Sequence, residues 1–243
     1  LVQERIAAEI QTEAKKLRYG TGNEDHAEIG LVANTRNQVG AKVVFDLRTP
    51  TTTIEQLELH FPGKYNLENA IAALGIATLL DVDPDKLREA LATAKGVHRR
   101  YEVRHESERA VVIDDYAHHP EEIKAVLEAV RSQYGETHHL IVVFQPHLYS
   151  RTQDFHVGFA EALAQADDLV LLDIYPAREE PIPGVSSDMI AEKIPAKQVL
   201  RGHRDEAVAL VAQLKTTPAV VMTVGAGDID TQVAAITKEV QSW

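Results

Sequence analysis

The 243 residues contain no cysteine, which excludes disulfides, thiolate metal sites and a cysteine nucleophile. No apolar run approaches the roughly 18–20 residues of a membrane span, and the opening LVQERIAAEI lacks the shape of a signal peptide. Basic residues are outnumbered, 25 Lys and Arg against 37 Asp and Glu, giving a net charge of -12. That balance argues against non-specific nucleic-acid binding, which rests on basic surfaces meeting phosphates. There is no internal repeat and no low-complexity segment. What is present is ordinary globular composition, 44% hydrophobic and 26% charged, at a length that fits one large domain or two modest ones. The starting expectation is a soluble cytoplasmic protein with a small-molecule substrate. The chain opens inside a helix-like pattern with no Met ahead of it, the start expected of a piece of something longer.

Periodicity divides the chain near Val97. Val2, Ile6 and Ile10 have helical spacing up to about Arg18. AEIGLVANTRN, VGAKVVFDLRT and TIEQLELHFP then read as three antiparallel strands, separated by turns containing Asn37 and Pro50. From Asn66 a helix is expected with Ala70, Ile71, Leu74, Ile76 and Ala77 as its apolar stripe. A second begins near Pro84, with Leu87, Ala90, Leu91 and Ala94 facing inward. After Gly96, strands such as AVVIDD, HLIVVF, DLVLLDIY and PAVVMTV alternate with amphipathic segments, the first carrying Ile123, Val126, Leu127 and Val130. Continuous apolar strands between amphipathic helices predict a Rossmann-like, mostly parallel sheet covered on both faces. Its ligand edge lies where strands end and helices start.

Candidate chemistry collects at those strand ends. Nine of the eleven histidines lie at or after residue 98, and His118, His119 and His147 follow expected strands. In Asp114-Asp115-Tyr116-Ala117-His118-His119-Pro120, carboxylates can accept ribose hydroxyls or hold a cation, and helix amides favour an anion. Asp115 or His119 can equally cap the helix before Pro120. In FQPHLYSRT, Arg151 can grip a carboxylate or phosphate with two prongs. The turn Gly225, Ala226, Gly227 and Asp228 offers backbone amides to a carboxylate, but Asp230 breaks the G-x-G-x-x-G pattern, so no dinucleotide fingerprint is present. Asn66 and Asn69 place two amides one helical turn apart, although Asn66 can serve as an N-cap. Gly63-Lys64 resembles the tail of a phosphate loop, but position 58 is Glu, so there is no P-loop.

FPGKYNLENAIAA, GVHRRYE, VIDDYAHHP, FQPHLYSRT, DIYPAREEPIPG and TVGAGDI occur in this order, and together they resemble the Mur ligase family, with the histidine-bearing segments pointing to its alanine-adding member. The resemblance implies three domains: one for the UDP-sugar, a central ATPase carrying the P-loop, and a Rossmann-like C-terminal domain. Residues 1–97 resemble the end of the ATPase domain, with its antiparallel strands and helices, and residues 98–243 the C-terminal domain. The implied reaction is ATP-driven: the lactyl carboxylate of UDP-N-acetylmuramate becomes an acyl phosphate, which the amine of L-alanine attacks. By resemblance Asn66 and Asn69 meet adenine, Arg100 the ATP phosphates and Asp115 the ribose. His118, His147 and Arg151 line the reacting end. Tyr116 and His119 join the substrate site, with Gly225, Ala226, Gly227 and Asp228 near the alanine carboxylate. The ligands for Mg2+ are expected upstream, with none among these residues. Position 148, often Arg in the family, is Leu148 here, which leaves more of the guanidinium role to Arg151.

Two rival readings are a sister ligase attaching a recycled tripeptide to the same sugar nucleotide, and a non-catalytic nucleotide-binding module. FQPH and SRT favour alanine over the tripeptide. A histidine-based metal hydrolase is disfavoured, since no H-x-H or H-x-x-x-H pair falls on these strand ends.

Overall fold

The computed structural model describes residues 9–21, 27–39, 42–135, 137–194 and 198–243. The chain divides into two compact units, Leu1–His60 with Asn66–Ala94, and Phe61–Tyr65 with Lys95–Trp243.

In the first unit the strands are β1 (Tyr19–Gly20), β2 (Ile29–Leu31), β3 (Asn37–Val39), β4 (Lys42–Arg48) and β5 (Thr53–Leu59). β4 pairs antiparallel with β2, β3 and β5, and β1 joins β2 in parallel. Val43, Phe45 and Leu47 alternate inward from β4, as period-2 patterning requires. The expected first strand is cut short, because Asn34 adopts a left-handed φ of 62°, which Asn tolerates. Asn37 opens β3 rather than forming a turn, and the expected second strand is split, since Val39 pairs with Lys42. Val2 and Ile6 lie outside the described residues. Residues 10–18 form no helix.

Helix α1 (Lys64–Leu79) starts two residues before Asn66, which therefore sits in the first turn and not at the cap. Its buried stripe is Leu67, Ile71, Leu74, Gly75 and Thr78, while Ile76 is 60% exposed. At about 100° per residue, position 76 points well away from position 74. Helix α2 (Pro84–Thr93) is capped by the Asp83 carboxylate, which accepts the Asp85 and Lys86 amides. Of its expected inward residues only Leu87 is buried; Leu91 is half-buried and Ala90 and Ala94 are exposed.

The second unit is built from β6 (Glu102–Glu106), β7 (Ala110–Asp115), α3 (Pro120–Tyr134), β8 (His139–Phe144), α4 (Tyr149–Leu163), β9 (Asp168–Leu172), α5 (Asp188–Ala191), β10 (Gln198–Gly202), α6 (Ala207–Gln213), β11 (Ala219–Val224) and α7 (Asp230–Val240). The sheet order is β10-β9-β8-β11-β7-β6, parallel except for β6. The expected parallel sheet is present. Strand β6, which the sequence reading missed, is a charged edge strand (EVRHE) of the kind that blunts an open sheet edge.

Side chains alternate between two apolar layers. Val111, Ile113, Val142, Phe144, Leu171 and Met222 pack under α3, α4 and α5. Val112, Ile141, Val143, Val170 and Val221 pack under α6 and α7. Because β11 inserts between β7 and β8, with helices leaving to opposite faces, the carboxyl ends of these three strands form the crevice at the topological switch point.

The opposite edge is stitched by Arg131 of α3. Its guanidinium meets the Asp167 carboxylate at 3.0 Å and donates to the Gln165 carbonyl at 2.8 Å. Asp167 also accepts the Leu140 amide at 2.8 Å. Burial tends to raise the Asp167 pKa, but the Leu140 amide and Arg131 outweigh it, and the net shift is downward. A depressed carboxylate contributes stability above its unfolded pKa and loses it as pH falls through the folded one. Asp167→Asn is therefore expected to cost about 0.5–1 kcal/mol near neutral pH after solvent screening, roughly 1–4 °C in Tm. Melts of both proteins should converge in acid. A gap that persists there would show that the charge is not responsible.

Candidate functional site

The parallel register aligns Val224 with Asp115 on one side and Phe144 on the other. The segments after β7, β8 and β11 therefore emerge side by side, and the sequence-expected residues of all three meet at one sheet edge.

Arg99 organises this edge from beneath. It is 7% exposed, and its guanidinium donates to Asp114 Oδ2 (3.1 Å), the Gly225 carbonyl (2.6 Å) and the Gly227 carbonyl (3.4 Å). Asp114 also accepts from the Thr223 hydroxyl of the neighbouring strand at 2.6 Å. With its carbonyls drawn onto Arg99, the 225–228 turn leaves the amides of Ala226, Gly227 and Asp228 without a protein acceptor among the described residues. Glycine is needed twice in that turn. Gly225 has φ +146°, and a Cβ on it would lie 2.7 Å from the Gln145 carbonyl; one on Gly227 would lie 2.7 Å from Tyr175 Cβ. Arg99 was not among the residues singled out by sequence. The family resemblance pointed to its neighbour Arg100 instead.

Asp115 is buried, and its carboxylate accepts the Tyr101 amide (2.7 Å), the Ala117 amide (2.8 Å) and the Tyr65 hydroxyl (3.4 Å). Burial pushes its pKa up against the pull of those donors and the Arg100 charge. The Tyr116 ring is approached by two cations, the guanidinium carbons of Arg99 and Arg100 lying 5.1 and 5.7 Å from its centre. His119 stands at the cap position of α3 without a side-chain capping bond, and its ring packs on Phe155 at 4.7 Å. The Glu122 carboxylate reaches back to accept the His118 amide at 2.9 Å.

His118, His147 and Tyr175 form a ring row across the ends of β7, β8 and β9, with successive centroids 6.3 and 5.7 Å apart. His118 Nδ1 lies 3.0 Å from the Tyr116 carbonyl. A carbonyl only accepts, so Nδ1 carries a proton and neutral His118 keeps a lone pair on Nε2. His147 is the reverse: Arg151 donates to its Nδ1 at 3.2 Å, so neutral His147 carries its proton on Nε2. Burial lowers the His147 pKa, and the charges of Arg151 and His118 lower it further, opposed by Glu179. Among the described residues Arg151 has no carboxylate within ion-pair distance. Between them Leu148 adopts φ 72° and ψ 135°, which costs a side-chain-bearing residue on the order of 1–3 kcal/mol. The bridge to the next strand end holds it there, the Leu148 amide donating to the Tyr175 carbonyl at 2.9 Å and the Tyr175 amide to Pro146 at 2.8 Å.

Gln145 and Arg204 fix the remaining side. Gln145 donates to Asp228 Oδ1 (2.8 Å) and accepts the Ile229 amide (2.9 Å), and Arg204 pairs with Asp228 and Asp205. These residues, with Tyr175, His203 and Asp173, line an open cleft of about 330 Å³. Gln145 lay inside a quoted segment without a role; Arg204 had no motif to mark it. Asn66, half-buried, and Asn69, exposed, lie one turn apart on α1 in the other unit. No group of three or more His, Asp or Glu is arranged to hold a metal among the described residues, and no helix among them is long and apolar enough to cross a membrane.

Residues 99–227 match the family described as Mur ligase, glutamate ligase domain. UDP-N-acetylmuramate–L-alanine ligase of Flavobacterium psychrophilum is 45% identical over 196 residues, 81% of this chain and 43% of that protein. The enzyme of the same description from Renibacterium salmoninarum is 44% identical over 233 residues, 95% of this chain and 49% of that one. The crystal structure of UDP-N-acetylmuramate-alanine ligase from Thermotoga maritima superposes with a TM-score of 0.73 at 26% identity, covering 93% of this chain and 48% of that chain. This chain thus spans about half the length of the curated relatives it matches.

His147 is expected to titrate below an ordinary histidine, and Arg151→Ala to move its midpoint upward by removing the adjacent charge. A ring-proton NMR titration reads both. A midpoint unmoved by Arg151→Ala would break the pairing.

Proposed function

Because this chain belongs to the Mur ligase family, we propose that it supplies part of an ATP-driven ligase joining L-alanine to UDP-N-acetylmuramate in the synthesis of peptidoglycan precursors. The reading rests on one observation above others: the Arg151 guanidinium, without a carboxylate partner, beside a histidine biased toward neutrality and a turn of free amides on the neighbouring strand end. That arrangement suits a reaction whose substrates and intermediate are anionic at the reacting end.

In the proposed sequence ATP transfers its terminal phosphoryl group to the lactyl carboxylate, giving an acyl phosphate and ADP. The neutral amine of L-alanine attacks the acyl carbon, the tetrahedral intermediate expels phosphate, the nitrogen gives its surplus proton to the departing phosphate, and an amide remains. The residues position and compensate charge; no covalent nucleophile is required. Arg151 meets the acyl-phosphate oxygens. Neutral His118 accepts a proton from the alanine ammonium on Nε2, and the Nε2–H of His147 donates to a substrate oxygen. The Ala226, Gly227 and Asp228 amides receive the alanine carboxylate, with Tyr116 and His119 bordering the pocket. Arg100 is assigned to the ATP phosphates, Asp115 to the ribose, and Asn66 and Asn69 to adenine. Residues 1–97 are assigned to the end of the ATP-binding domain and 98–243 to the C-terminal domain. Mg2+ is assigned to the reaction through the ATP phosphates, with no ligand among these residues. The reaction is assigned to the cytoplasm, on the ground that its substrates are nucleotides.

The test is phosphate release with ATP, Mg2+, L-alanine and UDP-N-acetylmuramate. The 243 residues alone, lacking a phosphate loop, are expected to give no sustained turnover, whereas the open reading frame that encodes them is expected to turn over. Turnover with tripeptide but not alanine would overturn the substrate assignment. In the active ligase Arg151→Ala is expected to lower kcat/KM by about 10²–10³, and Leu148→Ala only through local packing. If Arg151→Ala stays within about threefold of wild type, a ΔΔG‡ below roughly 0.7 kcal/mol, the guanidinium has only a surface role.

A further inference from the structure

Glu179 stands in the loop after β9, and its carboxylate reaches the start of α4, accepting the Ser150 hydroxyl at 2.5 Å and the Ser150 amide at 2.9 Å. It is thus engaged one residue before Arg151 while staying close enough to His147 to act on its charge. Leu148, preceding the helix, makes no side-chain capping bond, so Glu179 satisfies the exposed first turn from outside the helix. The carboxylate held beside Arg151 in the chain, and acting on the same ring to which Arg151 donates, is therefore occupied. From this geometry we propose that Ser150 is a positioning residue: by sequestering the Glu179 carboxylate it prevents an Arg151–Glu179 ion pair and leaves the guanidinium available to an anionic substrate.

Without the Ser150 hydroxyl, Glu179 keeps only amide donors, and a carboxylate beside an unpaired guanidinium gains a charge-assisted, two-pronged contact by turning to it. Arg151 would then leave His147 Nδ1. The other groups facing His147, which are His118 and Tyr175 with Glu122 behind His118, are unchanged by this switch. The chemical consequence is a site neutralised from within. The role in substrate binding rests on the ligase reading; the electrostatic switch does not.

The experiment is a His147 ring titration by NMR on the 243-residue chain, with melts run on each variant to register any purely structural effect. Ser150→Ala is expected to move the His147 midpoint upward, since Arg151 withdraws and a carboxylate turns inward. Ser150→Thr, which keeps the hydroxyl, is expected to leave it in place, and Glu179→Gln in the Ser150→Ala background to bring it back. A lower melting temperature with an unmoved midpoint, or a double variant that fails to restore it, overturns the proposal and leaves Ser150 and Glu179 as a stitch between loop and helix. In the active ligase Ser150→Ala is expected to raise KM for UDP-N-acetylmuramate about tenfold with kcat within about threefold, again restored by Glu179→Gln. An NMR shift without wild-type ligase turnover would refute the reaction and not the switch. Turnover with an unmoved midpoint would refute the switch alone.

Discussion

A buried guanidinium holds the strand ends of the second unit in one arrangement. Arg99 binds the Asp114 carboxylate near the end of β7 and two carbonyls of the turn that follows β11, and Asp114 passes the constraint to β11 through Thr223. A charge this deep persists only when its donors are satisfied, because an unpaired buried ion is strongly destabilising. The turn cannot relax away from Arg99 without exposing that cost. Its amides consequently face the crevice rather than folding back on their own carbonyls, and the two glycines are needed because Gln145 and Tyr175 crowd the same backbone.

Cations and carboxylates are interleaved in the crevice. The 243 residues carry a net charge of -12, yet Arg99, Arg100, Arg151 and Arg204 gather along one sheet edge. Two of these cations have internal work: Arg99 binds Asp114 and the turn, and Arg204 binds Asp228 and Asp205. Arg151 differs in having a neutral imidazole as its partner. The two histidines also differ through their neighbours, a carbonyl fixing the proton on His118 Nδ1 and a guanidinium excluding it from His147 Nδ1. One residue type thus presents an acceptor and a donor to the same space, a division set by second partners rather than by the rings themselves.

Strain accompanies this order. Arg99, Tyr101, Leu148 and Ala177 all have positive φ, and each lies in a segment that bears on the crevice. Such conformations survive where surrounding bonds over-determine them, and the bridge between β8 and β9 ends does so for Leu148. The fold spends stability where the side chains must be aimed.

Periodicity alone determined most of the second unit. AVVIDD, HLIVVF and AVVMTV are unbroken apolar runs because both faces of a parallel sheet are covered, so they are legible without partners, as are the Pro120 start of α3 and the strand-end placement of His118, His147 and Arg151. The first unit was less legible: short, half-exposed strands end wherever one residue such as Asn34 turns left-handed, and the exposed Ile76 matches the helical period of no buried stripe. Only the tertiary structure decided which of Arg99 and Arg100 is the buried organiser, that Gln145 and Arg204 brace the turn, and that Glu179 is spent on Ser150. Those contacts join residues far apart in the chain, up to Arg99 with Gly227, and no local pattern encodes a partner that arrives from another strand. Sequence order marks which residues are capable of chemistry; packing decides which of their charges remain uncompensated.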